Sequence, residues 1–294
     1  MVAHGRAAVV ELSEAAKLLP SHLQPVVRRR VVRWRHRGLR PTDVLLVSYP
    51  KSGSTWLRFL LAHALTAEGA DFDSVRDTVP RVGRHRRARS LLPDGGRILR
   101  THEPVEPFLA RPGQRIVYLA RDGRDVALSY LAHQRRYGTF EGGTSEFVRR
   151  FLEGGVDNYG PWHDHVLAAV ALQRSERADV LHVRYEDLRR DTVAELHRVL
   201  AFCGAADRGP GRPSLEEVVA ANTKDGMRAK EAHSAFLASK STDGTPFVRP
   251  DTELEWADLV EPDIRDRFDQ VCRPALRAAG YEVDGQTANP ESGP

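Results

Sequence analysis

Apolar residues in this chain gather into short runs, and each run leads through a turn into a segment of helical periodicity. The first run predicts a buried strand from Val44 to Ser48, a tight turn over Tyr49–Gly53, and a helix opening at Ser54 or Thr55 with Trp56, Leu57, Leu60 and Leu61 on its apolar face. A shorter run in Gly96–Pro104 predicts a strand that ends at Thr101. The third, Ile116 to Leu119, is followed by Asp122 as a cap and by a helix with Val126, Leu128, Tyr130 and Leu131 inward. A fourth strand is expected from Asp179 to Tyr185, with a helix running from Asp187 to near Gly204. Further helices are expected around Phe147, Val148, Phe151 and Leu152, over His163–Arg177, over Ser214–Ala221, and over Asp263–Gly280 with Ile264, Phe268, Val271, Cys272 and Leu276 on one face. Strands alternating with helices argue for an α/β domain in which helices cover both faces of a parallel sheet, joined by right-handed crossovers.

The flanks are different in character. Residues 1–40 read as a basic helical extension, with Val26, Val27, Val31, Val32 and Trp34 lining one side while Arg28, Arg29, Arg30, Arg33, Arg35 and Arg37 stay in water. The stretch from Thr66 to Gly96 is polar, reads as loop and short helix, and carries Arg81, Arg84, Arg86, Arg87 and Arg89. Residues 234–251 have few helix or strand cues and suit a lid or a disordered segment. The end of the chain, 284–294, is expected to be loose.

Composition narrows the class. The chain has 294 residues, 41% of them hydrophobic, with a net charge of +4, which fits one large globular domain and argues against disorder or a dedicated nucleic-acid binder. The first residues lack a secretory layout, and no apolar run is long enough to span a membrane, so a cytoplasmic location is expected. Cys203 and Cys272 match no metal spacing and are expected to be reduced and partly buried. Positive charge is almost all arginine. Against 44 Lys and Arg together, the lysines are Lys17, Lys51, Lys224, Lys230 and Lys240, so a lysine inside the Tyr49–Gly53 turn stands out as a compact ammonium.

That turn is the main candidate for chemistry. A strand passing through a glycine-containing turn into a helix leaves the helix's first N–H groups open, which makes an anion site. Lys51, Ser52, Ser54 and Thr55 add a cation and three hydroxyls there. His102, just past the carboxyl end of its strand, lies where ligands of open parallel sheets sit. Arg121 occupies the equivalent turn of the third strand.

Taken together, YPKSGSTW, RTHEP, YLARDGRDVALSY and RYEDL resemble, in the right order from about Asp43 to Tyr281, the motifs of the soluble sulfotransferases that use 3′-phosphoadenosine 5′-phosphosulfate (PAPS). The resemblance implies a P-loop-like three-layer α/β domain over residues 41–283 with a central parallel sheet. It implies that Lys51, Ser52, Gly53, Ser54 and Thr55 cradle the 5′-phosphosulfate and that Trp56 stacks on adenine. Arg121 and Ser129 would hold the 3′-phosphate, Tyr185, Thr223 and Met227 would border the adenine, and His102 would take the acceptor's proton. Lys51 and Ser129 are counted with His102 as catalytic. Two departures stand out. The family's lysine before Thr-His is Arg100 here. Its Arg-Lys-Gly, with a tryptophan five residues after the glycine, becomes Arg249, Pro250 and Asp251 before Trp256, so Arg249 remains a candidate 3′-phosphate ligand.

The expected reaction is in-line transfer of a sulfuryl group from PAPS to a hydroxyl of a small molecule, glycan or lipid, with no metal required, no nucleic-acid partner and a homodimer as one option. Phe140, Phe147, Tyr159, Trp162 and the Thr66–Gly96 arginines are candidate walls for the acceptor. Two rivals from other classes are a P-loop nucleotide kinase and a non-catalytic basic binding module. The kinase loop sets its glycines ahead of Gly-Lys-Ser/Thr, whereas here the lysine precedes the glycine. The binding module leaves His102 and Lys51 without a role.

Overall fold

A computed structural model describes residues 24–66, 68–105, 112–239, 246–248 and 256–282. Arg249, Pro250, Asp251, the first part of the basic extension and the tail lie outside the described residues. Four strands, β1 (Val44–Val47), β2 (Ile98–Thr101), β3 (Arg115–Ala120) and β4 (Asp179–Arg184), form one sheet in the order β2-β1-β3-β4, with all neighbours parallel. The chain leaves β1 on one side for β2 and crosses back past β1 to β3. The carboxyl ends of β1 and β3 therefore meet at the point where the strand order reverses, the place where open α/β sheets accept ligands.

Strand residues alternate between two cores. Leu45, Val47, Leu99, Ile116, Tyr118 and Ala120 pack on α4 (Gly123–Arg136), α5 (Thr144–Leu152), α6 (Trp162–Arg174) and α13 (Pro262–Ala278). Val44, Leu46, Ile98, Val117, Leu119 and Val183 pack on α2 (Ser54–Thr66), α8 (Thr192–Phe202) and α9 (Leu215–Ala221). Both faces are thus buried, as the unbroken apolar runs require of a parallel sheet. The remaining described helices are α1 (Gln24–Arg35), α3 (Val75–Thr78), α7 (Tyr185–Arg190), α10 (Lys224–Ala232), α11 (Ala235–Ala238) and α12 (Trp256–Leu259).

Several expectations need correction. The helix expected from Asp187 onward is two helices, because the Asp191 side chain accepts from the Ala194 N–H and so starts α8 afresh. In α1 the valine stripe faces inward only in part: Val32 is buried and Val27 and Val31 are half-buried. Val26 is 50% and Trp34 44% exposed, while Arg28 turns inward to Glu103 at 2.7 Å and Arg35 stands 3.7 Å from the same carboxylate. A buried carboxylate needs a charged partner more than the helix needs to hide two apolar side chains. Phe140, Phe147 and Trp162 are core residues rather than pocket walls, leaving Tyr159 on the cavity surface. Cys203 and Cys272 are both free and buried. Among the described residues no helix is long and apolar enough to cross a membrane.

Candidate active site

β1 delivers the chain into a turn whose backbone is unusual. Lys51 has φ +71° and Gly53 φ +93°, two left-handed residues within three positions, which a lysine adopts only when its surroundings impose it. Gly53 is required on a second ground, since a Cβ there would lie 2.4 Å from Cδ2 of Tyr185. Gly53→Ala is expected to lower stability by roughly 1–3 kcal/mol, from backbone strain and this overlap. Denaturant unfolding measures it, and a change below about 0.5 kcal/mol would mean that Tyr185 yields freely.

The first rung of α2 is Leu57 N–H to Gly53 O at 3.3 Å, so the amides of Ser54, Thr55 and Trp56 precede the ladder and point their partial positive charge out of the helix. Ser52 sits beneath the turn. Its side chain is buried, its Oγ has no partner, and its N–H donates to Tyr49 O at 3.3 Å, so that amide is already used and Ser52 is not on the cavity wall.

The cavity over these carboxyl ends has a volume of about 1830 Å³. Lys51, Gly53, Ser54, Thr55, Trp56, His102, Arg121, Ser129, Tyr185, Thr223 and Met227 all line it. Five separated stretches of sequence thereby converge on one space. Arg121 fastens the β1 and β3 turns together, donating to Lys51 O at 3.3 Å and to Asp125 at 3.1 Å, with its guanidinium 4.5 Å from the centre of the Tyr185 ring. Its Nε is buried without a partner, an open donor beside the cavity. Trp56 donates its indole N–H to Asn222 O at 2.8 Å and meets Tyr185 edge to face at 5.9 Å, so two aromatic walls stand at an angle where a flat ring fits. Thr223 caps α10 by accepting from the Gly226 N–H.

His102 lies at the other end. Its Nδ1 is 2.7 Å from Ser48 O, and since a carbonyl only accepts, Nδ1 carries the proton and Nε2 keeps its lone pair. Loss of hydration and then the charge of Arg100 hold the imidazole well below its usual value, against the opposing bond to Ser48. The ring is neutral through the physiological range and fit to accept a proton.

Some functional neighbours carried no sequence signal. Tyr118 hydroxyl lies 2.9 Å from His165 Nδ1, and His165 Nε2 lies 3.2 Å from His102 O. With Nε2–H donating to that carbonyl, Nδ1 must accept from Tyr118. Burial drives the His165 pKa down to about 4, so this chain of neutral groups anchors the His102 backbone from below. Phe247, whose ring centre is 4.9 Å from Lys51 Nζ, comes from a segment with no regular pattern.

The chain matches a family model described as a sulfotransferase domain over residues 41–280. It is similar to sulfotransferase 1C2 of Rattus norvegicus, with 26% identity over 81% of this chain and 84% of the relative. Cytosolic sulfotransferase 1 of Danio rerio is 26% identical over 82% of this chain and 84% of the relative. Among solved structures, the fold resembles a mouse sulfotransferase complexed with PAP, the nucleotide left when PAPS loses its sulfuryl group. That match has a TM-score of 0.58 and 23% identity over 81% of this chain and 84% of the other. It also resembles a retinol dehydratase in complex with androsterone and inactive cofactor PAP, with TM-score 0.60 and 19% identity over 85% of this chain and 84% of the other. With the domain model spanning both turns, the cavity and His102, the chain belongs to the sulfotransferase family.

Proposed function

We propose that this sulfotransferase binds PAPS across the cavity and transfers its sulfuryl group to a hydroxylated acceptor, with His102 as general base. The observation that carries the proposal is the tautomer of His102. Nδ1 is committed to Ser48 O, which leaves Nε2 as the acceptor at the cavity wall. In the reaction the acceptor oxygen attacks sulfur in line, its proton passes to Nε2, and the bond from sulfur to the bridging phosphate oxygen breaks to release PAP. Negative charge grows on that bridging oxygen, where Lys51 and the open amides of α2 would stabilise it.

Placement on the cavity wall supports most of the remaining roles. Ser54 and Thr55 would complete the phosphosulfate cradle, to which Ser52 contributes no free amide. Trp56, Tyr185, Thr223 and Met227 would enclose the adenine. Arg121, with its unpartnered Nε, and Ser129, buried on α4, would hold the 3′-phosphate. Arg249 would be a further 3′-phosphate ligand by motif spacing. One catalytic domain over 41–283, a cytoplasmic location and a small hydroxylated acceptor complete the proposal.

The decisive experiment is transfer of labelled sulfur from PAPS to a panel of hydroxylated acceptors, alongside thermal unfolding with nucleotides. PAP is expected to raise the melting temperature. Arg121→Ala should weaken PAP binding roughly ten- to a hundredfold, the loss of charge-assisted bonds to one phosphate, and leave adenosine 5′-monophosphate, which lacks the 3′-phosphate, nearly unaffected. Stabilisation of the wild-type chain by ATP but not by PAP would point to a nucleotide kinase instead.

A further inference from the structure

Beside His102 the cavity wall carries Arg100, and just outside that wall stands Arg81, so that more positive charge gathers there than the nucleotide's roles account for. Arg100 and Arg81 face each other directly. Arg81 forms an isolated parallel bridge with Arg100, held by Arg100 N–H to Pro80 O at 2.9 Å and Val82 N–H to Arg100 O at 2.8 Å. Paired positions on neighbouring extended chains put their side chains on the same side, and two like charges so placed repel. Neither guanidinium has a carboxylate partner among the described residues. Arg81 donates to Tyr159 hydroxyl at 2.9 Å, and Nε of Arg100 is buried with no partner.

Behind the exposed Arg81 and the half-buried Arg100, the buried Arg58 is satisfied by the carbonyls of Val79 and Val75, at 2.9 Å each. The strain shows in the electrostatics. Desolvation, then Arg81, lowers the Arg100 pKa to about 10, and desolvation, then Arg100, lowers that of Arg58 to about 9. Acid groups were available for pairing. Glu103, two residues past Thr101, is engaged by Arg28 and Arg35 instead.

The buried part of this cluster, Arg100 Nε and Arg58, has lost hydration that an anion would offset, and Arg81 at the exposed edge adds its charge to theirs. Tyr159 fixes where the anion would arrive, since its ring stands 5.6 Å from that of His102, edge to face, while its hydroxyl holds Arg81. We infer that the acceptor carries an anionic group, a carboxylate, sulfate or phosphate ester, seated between Arg81 and Arg100 so that its hydroxyl reaches His102. The inference rests on the sulfotransferase reaction proposed above and adds the acceptor's charge class to it. One arginine of this pair would suffice for the sulfuryl group in flight. The second, Arg81, together with Tyr159, has no such duty and marks the acceptor side.

The test compares matched acceptor pairs on the full chain with PAPS: 4-hydroxybenzoate with its methyl ester, glucuronate with glucose, and glucose 6-phosphate with glucose. A sulfated sugar with its parent forms the fourth pair. Within the pair turned over fastest, kcat/KM is expected to favour the anionic member roughly ten- to a hundredfold. The preferred pair identifies which anion is meant. In Arg81→Gln that preference should shrink about tenfold, with the PAP-induced rise in melting temperature retained. Three results would overturn the inference: equal or better turnover of the neutral member, an equal loss for both members in Arg81→Gln, or turnover of none of the pairs while a neutral phenol or sterol is sulfated. If PAP fails to stabilise the wild-type chain and no acceptor is sulfated, the fault lies with the transfer reaction itself.

Discussion

His102→Ala is expected to lower kcat roughly 10²- to 10⁴-fold while PAP stabilises the variant as well as it does the wild type. The side chain meets its surroundings through Nδ1, bonded to Ser48 O and 3.3 Å from Ser48 Oγ. Its removal therefore costs one hydrogen bond at the cavity wall and leaves the Lys51 turn and Arg121 in place. The pH profile separates a base from a structural residue. Because the folded imidazole is held well below 6.5, the protonated, inactive form appears only on strong acidification. The acid limb of kcat/KM should thus fall well below pH 6.5, the usual histidine value. Steady-state rates carried down to the lowest pH at which the fold persists read this limb, and no limb should appear near pH 6.5. An alanine variant that keeps more than about a tenth of the rate would remove His102 from the proton path. So would an unchanged acid limb in a variant of reduced activity.

How this site was legible in the chain, and where it was not, follows from the range of the forces involved. The β1 and β3 turns could be read because their ingredients are local: an apolar run, a glycine, a cap, and a helix that begins within a few residues. Lys51 and Arg121 stand out as anion ligands on that ground, although no local pattern says that one cavity joins them. His102 was placed by the end of a four-residue strand, but its tautomer depends on Ser48, 54 positions away, and no local pattern encodes that bond. The Tyr118–His165 support is equally remote, with its members 47 positions apart. Aromatic residues misled for a related reason. Phe147 and Trp162 lie in a glycine-rich, aromatic stretch that suits a pocket, yet each is on the inward stripe of its helix and fully buried. In α1 the valine periodicity holds at Val32, but Arg28 also turns inward, to an acidic partner that lies 75 residues on. The arginines of Thr66–Gly96 are all candidate acceptor walls in the sequence, and the Arg81–Arg100 bridge with the Arg81–Tyr159 bond singles out one of them beside the site.

Asp43→Ala is expected to destabilise the fold by about 3–5 kcal/mol, the cost of leaving a buried cation unpaired. Asp43 precedes β1 at the amino end of the sheet, opposite the cavity, and is completely buried, as is Arg97 just before β2. Its carboxylate accepts from Arg97 Nε at 2.9 Å and from Arg97 Nη2 at 2.5 Å, and from the backbone amides of Arg40 at 2.7 Å and Arg97 at 3.2 Å. Arg97 also reaches His85 O and Gly38 O at 2.9 Å each. One ion pair therefore joins the starts of β1 and β2 to the loop after α1 and to the Thr66–Gly96 segment. Burial alone would raise the Asp43 pKa, but the bonds from Arg97 and Arg40 outweigh it and hold the carboxyl below its ordinary value. With the folded pKa depressed, the stabilisation is complete above the unfolded value near 3.9 and is lost as pH falls through the lower folded one. Denaturant unfolding at pH 7 should show the full difference between wild type and variant. Near pH 3 the difference should narrow, because the wild type begins to lose the charge that the variant never had. A difference that stays constant with pH would assign the loss to packing, and a difference below about 1 kcal/mol at pH 7 would mean that water replaces the carboxylate around Arg97. Stability and catalysis thus sit at opposite ends of β1. Asp43→Ala should leave PAP binding per folded molecule unchanged, whereas His102→Ala leaves the folded fraction unchanged and removes the chemistry.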